Sequence, residues 1–284
     1  IMREKSIPLF ALESREPITN FDFVTFTLQY ELSYTNILNI LDLANIPILK
    51  EERTLEDPFI MVGGPCAYNS EPLADFVDVV ILGEGEEVNL EVVNEYKEWK
   101  KNKTTREDFL YKISSIEGVY IPSFYDVKYN EDGTVQSVTP NREGITKNPT
   151  KRIIKDVETV DYPEKLIVPY IDTVHDRIVL ELFRGCTRGC RFCQAGMIYR
   201  PIREKSVKRL KEILDKLVKN TGYDEISLSS LSTSDYSKLS ELTDYLVDEY
   251  ASNNIGISLP SLRLDNFSME IADKIQQVRK SGLT

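Results

Sequence analysis

A chain of 284 residues with 41% hydrophobic and 29% charged residues is long enough for about two globular domains, each with a core of its own. It has no apolar run of the roughly 18–20 residues that a membrane-spanning helix needs and no charged-then-apolar leader, so we expect a cytoplasmic chain with no membrane partner. The net charge of −11 argues against a broad phosphate-binding face, and so against nucleic acid as a partner.

Strand and helix patterns alternate through residues 1–100, as they do in an open parallel α/β sheet. Asp22–Leu28 reads as a buried strand, and Ser33–Leu41 as a helix with Ser33 or Thr35 available to cap it. Pro58–Val62 and Val77–Leu82 are further strands, ending in Gly63-Gly64-Pro65 and Gly83-Glu84-Gly85-Glu86, with a helix over Glu87–Trp99. Glycines at strand carboxyl ends mark the edge where open α/β sheets take ligands. Cys66, alone beside the first of these turns, is expected to be a small buried hydrophobe.

Residues 101–170 read as a connector with a small antiparallel extension. A short helix is predicted over Arg106–Ile113, then strands over Gly118–Pro122 and Tyr125–Tyr129. The turn Asn130–Gly133 should lead into a hairpin strand over Val135–Val138. Arg152–Pro169, stiffened by Pro163 and Pro169, reads as the link to the next domain.

Residues 171–284 carry the pattern of the first half of a (β/α) barrel. His175, the single histidine, precedes the first strand at the end that faces away from the chemistry, which points to a structural role. The strand Ile178–Phe183 runs into Gly185-Cys186-Thr187-Arg188-Gly189-Cys190-Arg191-Phe192-Cys193, a C-x3-C-x2-C loop. A closed zinc site or a closed iron–sulfur site takes four protein ligands. Three thiolates on one loop suit a cubane with one iron left open. Next come a helix over Ser206–Asn220, capped by Ser206 and stopped by Gly222, and a strand over Glu225–Ser229. A helix striped by Leu239, Leu242, Leu246 and Tyr250 follows, with Ser237 as its expected cap. The strand Ile255–Leu259 and the helix Ser268–Lys280 complete the pattern. An eight-unit barrel takes about 250 residues, so the barrel reads as truncated and the sequence as a piece of a longer protein.

The run Cys186-x3-Cys190-x-Phe192-Cys193, with an aromatic directly before the last cysteine, resembles the signature of radical S-adenosylmethionine (SAM) enzymes. The stretch Phe21–Asn36, together with the two glycine turns, is similar to the Rossmann-type, cobalamin-binding-like domain ahead of many such barrels. The resemblance implies a partial TIM-like barrel in which Cys186, Cys190 and Cys193 hold a [4Fe-4S] cluster. The open iron of that cluster would chelate SAM and cleave it reductively to a 5'-deoxyadenosyl radical, with electrons from a reductant such as flavodoxin or ferredoxin. It also implies SAM contacts for Phe192, for Ser229 and Ser230 where the family commonly has Gly-Glu, and for Ser261 and Arg263. Thr27, Gly63 and Gly64 would match the positions that receive the nucleotide tail of cobalamin. The Asp-x-His-x-x-Gly loop of base-off cobalamin binders is missing, which counts against that cofactor. A structural domain without ligand is the alternative there.

The expected function is an iron–sulfur oxidoreductase that makes radicals from SAM, with cobalamin-assisted methyl transfer or methylthiolation as narrower forms. The competing class is a non-catalytic iron–sulfur or zinc scaffold, or an electron-transfer protein. Arg188 and Arg191, inside the loop, would offset the negative charge of a thiolate-bound cluster.

Overall fold

The computed structural model describes residues 1–102, 104–171, 173–266 and 269–278. The chain divides into two compact units, Ile1–Ile154 and a second beginning at Lys155, each with its own hydrophobic core. The segment 101–170 is thus shared between the two units.

The first unit runs α1 (Met2–Lys5), β1 (Phe23–Thr27), α2 (Tyr34–Leu43), β2 (Phe59–Gly63), β3 (Val79–Ile81), α3 (Gly85–Asn102), α4 (Arg106–Ile113) and β4 (Val119–Tyr120). Strands β1, β2 and β3 lie parallel in chain order, and β4 closes the edge antiparallel to β3. Phe59–Val62 and Val79–Ile81 are buried on both faces, which is why they read as unbroken apolar runs rather than alternating ones. Helix α4 opens on a capping box of Thr105 and Asp108. Helix α2 has no side-chain cap, contrary to the expectation for Ser33 or Thr35. A 3-10 turn over Glu31–Ser33 feeds straight into it, so Ser33 already has helical backbone and its hydroxyl donates to the Tyr30 carbonyl at 2.6 Å. Strands β5 (Tyr125–Tyr129) and β6 (Val135–Pro140) form the expected hairpin, turning at Gly133.

Two features of this unit were not readable as local pattern. Near the amino-terminal edge of the sheet, the Arg53 side chain is fully buried and donates to the carbonyls of Pro47, Ile48 and Phe76 and, at 2.9 Å, to the Asp78 carboxylate. Asp78 also accepts the Ile60 amide at 2.7 Å and pairs with Arg106 at 3.2 Å, and the Arg106 guanidinium lies 3.9 Å over the Phe59 ring. Buried charge is tolerated when it is paired and hydrogen-bonded, as Arg53 and Asp78 are here.

At the opposite edge, Arg152 pairs with Gly83: its amide donates to Leu82 and its carbonyl accepts from Glu84. A Cβ on Gly83, where φ is +106°, would lie 2.1 Å from the Arg152 oxygen, so that backbone approach requires glycine. The Glu84 carboxylate then accepts the Ile154 amide at 2.6 Å, and the Arg152 guanidinium pairs with Glu87 and Glu91. The Gly-Glu-Gly-Glu turn is the dock for the chain's own segment.

The second unit contains β7 (Ile178–Glu181), β8 (Phe183–Arg184), α5 (Ala195–Ile198), β9 (Arg203–Glu204), α6 (Val207–Thr221), β10 (Glu225–Ser229), α7 (Leu239–Tyr250), β11 (Gly256–Ser258) and α8 (Met269–Val278). Strands β7, β10 and β11 are parallel neighbours in chain order, with helices between them, the winding of a (β/α) barrel. Ile178, Leu180, Ile226, Leu228 and Ile257 share a core with the apolar stripes of α6 and α7. Burying each such side chain contributes about 1.5–3 kcal/mol. Strand alternation sends Val179, Glu181, Ser227, Ser229 and Ser258 to the other face.

The α6 cap is as expected: the Ser206 hydroxyl accepts the Arg209 amide at 3.1 Å, and the helix stops at left-handed Gly222. The α7 cap is not. Lys238 holds the cap position, and the amide and hydroxyl of Ser237 both go to the Glu204 carboxylate. Residues 268, 279 and 280 of the last expected helix lie outside the described residues. His175 is exposed ahead of β7, with its ring Nδ1 3.4 Å from Arg177.

Candidate metal centre

At the carboxyl end of β7, the Leu182 amide donates to the Ser229 carbonyl, and Phe183 and Arg184 pair antiparallel with Glu204 and Arg203. This short β8–β9 ladder closes the neck of the loop that holds the cysteines. Gly185, φ +97°, sits inside the neck; a Cβ there would lie 2.3 Å from the Pro201 oxygen and 2.8 Å from that of Tyr199. Cys186 and Cys190 are partly buried and Cys193 is exposed, all three as free thiols. The Cys193 amide donates to the Cys190 carbonyl at 3.0 Å, which turns the loop between them.

Among the described residues, no three His, Cys, Asp or Glu side chains are gathered as a single metal ion would need. A cubane has a different requirement. It spreads its thiolates over separate irons, and three cysteines along one glycine-punctuated loop fit it.

Two loops from the neighbouring strands close on the cysteines. Arg263, after β11, donates from Nη1 to Cys190 Sγ at 3.4 Å and from Nη2 to Asp265 at 2.5 Å. Its backbone amide donates to the Ser234 hydroxyl at 3.3 Å, and its buried Nε has no partner among the described residues. Arg188, within the cysteine loop, forms a two-point ion pair with Asp235, its Nε 2.7 Å from Oδ2. Asp235 also accepts the Ser232 hydroxyl at 2.6 Å and the Asn266 amide at 3.1 Å. A cavity of about 340 Å³ lies against this latch, bounded by Gly185, Cys186, Thr187, Arg188, Ser232 and Asp235 among others.

The Arg188 hydrogen bond, opposed by burial and aided by Ser232 and Asn266, holds the Asp235 carboxyl down to about 2. A carboxyl lowered in the folded state stabilises fully above its ordinary value of 3.8, and that contribution is lost as pH falls through about 2. We therefore expect amide exchange in the Cys186–Cys190 loop, corrected for intrinsic rate, to be unchanged between about pH 5 and 8. Asp235→Asn should speed that exchange severalfold at neutral pH. Protection that already falls at pH 5 would count against the latch.

Beneath the loop, Lys205 is 1% exposed, with its ammonium on the Glu181 carboxylate. Burial pushes the Glu181 carboxyl up, but hydrogen bonds from Arg184 and Lys205 outweigh it and leave it below its usual value. The Tyr236 hydroxyl donates to the Lys205 carbonyl at 2.8 Å, and its ring stacks on Phe183.

Of the residues expected to contact SAM, Arg263 is brought to the cysteines. Ser229 ends β10, and the Ser230 hydroxyl lies 3.1 Å from Thr233 Oγ1 and accepts the Ser232 amide, which organises its own turn. Ser261, at φ +59°, accepts the Thr233 amide on its carbonyl and ties the two loops together. Phe192 stands 93% exposed on the loop. Asp235, Asn266 and the buried Lys205–Glu181 pair had no sequence signal, because their partners are 24 to 47 residues away.

In the first unit, Thr27 lies opposite Gly63, and a Cβ on Gly64 would come within 3.0 Å of Thr27 Cγ2. These three residues share a cavity of about 300 Å³ with Gly83, Gly85 and Asn89, at the carboxyl ends of β1 to β3.

Residues 1–122 match the family described as radical SAM proteins, N-terminal, and residues 180–284 match the radical SAM superfamily. The chain belongs to the radical SAM superfamily. It is 31% identical over 273 residues to an uncharacterized protein of Methanocaldococcus jannaschii, covering 95% of this chain and 50% of that one. The chain thus spans about half the length of the curated relative it matches. Two structures of TsrM, a radical SAM methyltransferase from Kitasatospora setae, share the fold. One, with tryptophan and a SAM analogue bound, gives a TM-score of 0.53 at 12% identity, over 90% of this chain and 46% of TsrM. The other, with cobalamin and a [4Fe-4S] cluster bound, gives 0.54 at 14%, over 90% and 47%. Radical SAM membership implies a [4Fe-4S] cluster and SAM, and the three-cysteine donor set fits that cluster. No helix among the described residues is long and apolar enough to cross a membrane.

Proposed function

We propose that Cys186, Cys190 and Cys193 hold a [4Fe-4S] cluster, and that the whole protein is an enzyme that uses it to cleave SAM reductively and act on a further substrate. The observation that carries this reading is the convergence of Arg263 on Cys190, with a second, buried Nε donor left unspent among the described residues. When bound, the cluster supplies the electron that cleaves SAM.

The chain's own residues orient and enclose. Arg188 and Asp235 fix the cysteine loop against the serine turn after β10. Arg263 Nε is a donor suited to the SAM carboxylate, and a guanidinium holds such a group with fixed geometry. Ser229 and Ser261 stand at the ends of the neighbouring strands, where hydroxyls and carbonyls can meet the ammonium and ribose. Phe192, exposed on the loop, offers an apolar ring to the adenine. The reaction runs in the cytoplasm, with electrons from a flavodoxin- or ferredoxin-type donor.

A narrower reading is cobalamin-assisted methyl transfer. It rests on the cavity at Thr27, Gly63 and Gly64 and on the fold likeness to a methyltransferase. Added methylcobalamin raising product yield would favour it.

The deciding experiment is anaerobic reconstitution with iron and sulfide, then electron paramagnetic resonance of the reduced protein with and without SAM. The expected result is a [4Fe-4S] signal that changes shape when SAM is added. Zinc bound in place of iron, or a cluster indifferent to SAM, would overturn the reading in favour of a scaffold or an electron carrier.

A further inference from the structure

We infer that Arg263 is a positioning residue for the redox step, its hydrogen bond to the Cys190 sulfur setting the reduction potential of the cluster upward. This rests on the cluster reading above. Nη1 lies 3.4 Å from Cys190 Sγ, a sulfur hydrogen-bond distance, and the guanidinium is anchored on its other side by Asp265 at 2.5 Å. The Arg263 amide is tied to Ser234, and Asn266 donates to the Ser234 carbonyl and to Asp235. The fork is therefore aimed at the sulfur from two sides rather than swinging in solvent.

One electron enters the cluster from an external donor; no bond forms or breaks. The added charge is shared by the ligating sulfurs, so a cationic donor on one of them favours the reduced form. Arg188 and Arg191, beside the cysteines, are less suited to this. The charge of Arg188 is met by Asp235, and Arg191 is exposed to water and salt. Arg263 is itself paired with Asp265, so the acid sets how much positive charge reaches the sulfur. That gives the inference two handles of opposite sign.

The test is a redox titration of the anaerobically reconstituted whole protein, with dithionite as reductant, SAM absent, and the paramagnetic signal as readout. Arg263→Gln should give a more negative midpoint than the unmutated protein, with Arg263→Lys between the two. Asp265→Asn should move the midpoint the other way. A role confined to folding would not produce shifts of opposite direction at two adjacent sites. Should Arg263→Gln fail to hold its cluster, the lysine and Asp265→Asn midpoints still decide. Midpoints equal to the unmutated one, with SAM affinity alone reduced in Arg263→Gln, would overturn the inference and leave Arg263 a SAM ligand only. Failure of the unmutated protein to form a cluster would instead overturn the functional reading on which this rests.

Discussion

Replacing Cys186, Cys190 or Cys193 with alanine will abolish cluster assembly, with bound iron after anaerobic reconstitution falling from about four atoms per chain to less than about one. The site has no spare ligand: the remaining cysteine, Cys66, is 3% exposed in the core of the other unit. SAM cleavage should fall below detection with the iron. The fold should survive, because the neck of the loop is closed by the β8–β9 ladder and the Gly185 approach, neither of which involves a thiol. Circular dichroism of each variant should match the unmutated protein, and Cys66→Ala should keep its iron. Any one of the three single variants that retained a full complement of iron would refute the assignment.

Arg53→Met should destabilise the first unit by about 3–5 kcal/mol, the range for removing one partner of a buried ion pair. The loss exceeds that of the pair alone. The carbonyls of Pro47, Ile48 and Phe76 lose a donor in the same change, and Asp78, 4% exposed, is left with Arg106 and the Ile60 amide among the described residues. Changing Asp78→Leu together with Arg53→Met should cost less than the sum of the two single changes, since the uncompensated carboxylate is gone. Breaking the exposed Lys101–Glu98 pair with Lys101→Met should cost far less than Arg53→Met. Urea denaturation followed by the fluorescence of Trp99, which packs on Phe59 in this core, reads all four. An Arg53→Met protein within 1 kcal/mol of the original would show that the buried cluster is not a linchpin of this unit.

The parts of the fold legible in the sequence are those fixed by neighbours along the chain. The apolar periods of α6 and α7, the Ser206 cap, the Gly222 stop and the Asn130–Gly133 hairpin turn all follow from residues within a few positions of one another. The cysteine loop was legible for the same reason. What escaped was long-range. Ser237 has the chemistry of a helix cap, but Glu204, 33 residues away, takes both its amide and its hydroxyl. Gly83 reads as an ordinary turn until the Arg152 backbone arrives to fill the space a side chain would need. Lys205 sits in a charged run, Arg203-Glu204-Lys205, yet it is buried, with its ammonium on Glu181 and its carbonyl accepting from Tyr236. The family resemblance points to Arg263 as a SAM contact, but its partner Cys190, 73 residues earlier, is not foreseeable from spacing.

The alternation along β10 and β11 divides labour within single strands. Ile226, Leu228 and Ile257 face the helices and carry the core, while Ser227, Ser229 and Ser258 face the other way, where TIM-type barrels usually carry bulky branched residues. Enlarging one of those serines alters the space on that face by a methylene or two and leaves the helix contacts alone. The room on that face and the firmness of the core are therefore written on alternate letters of the same short words. A lineage can revise the first by single substitutions without rewriting the second.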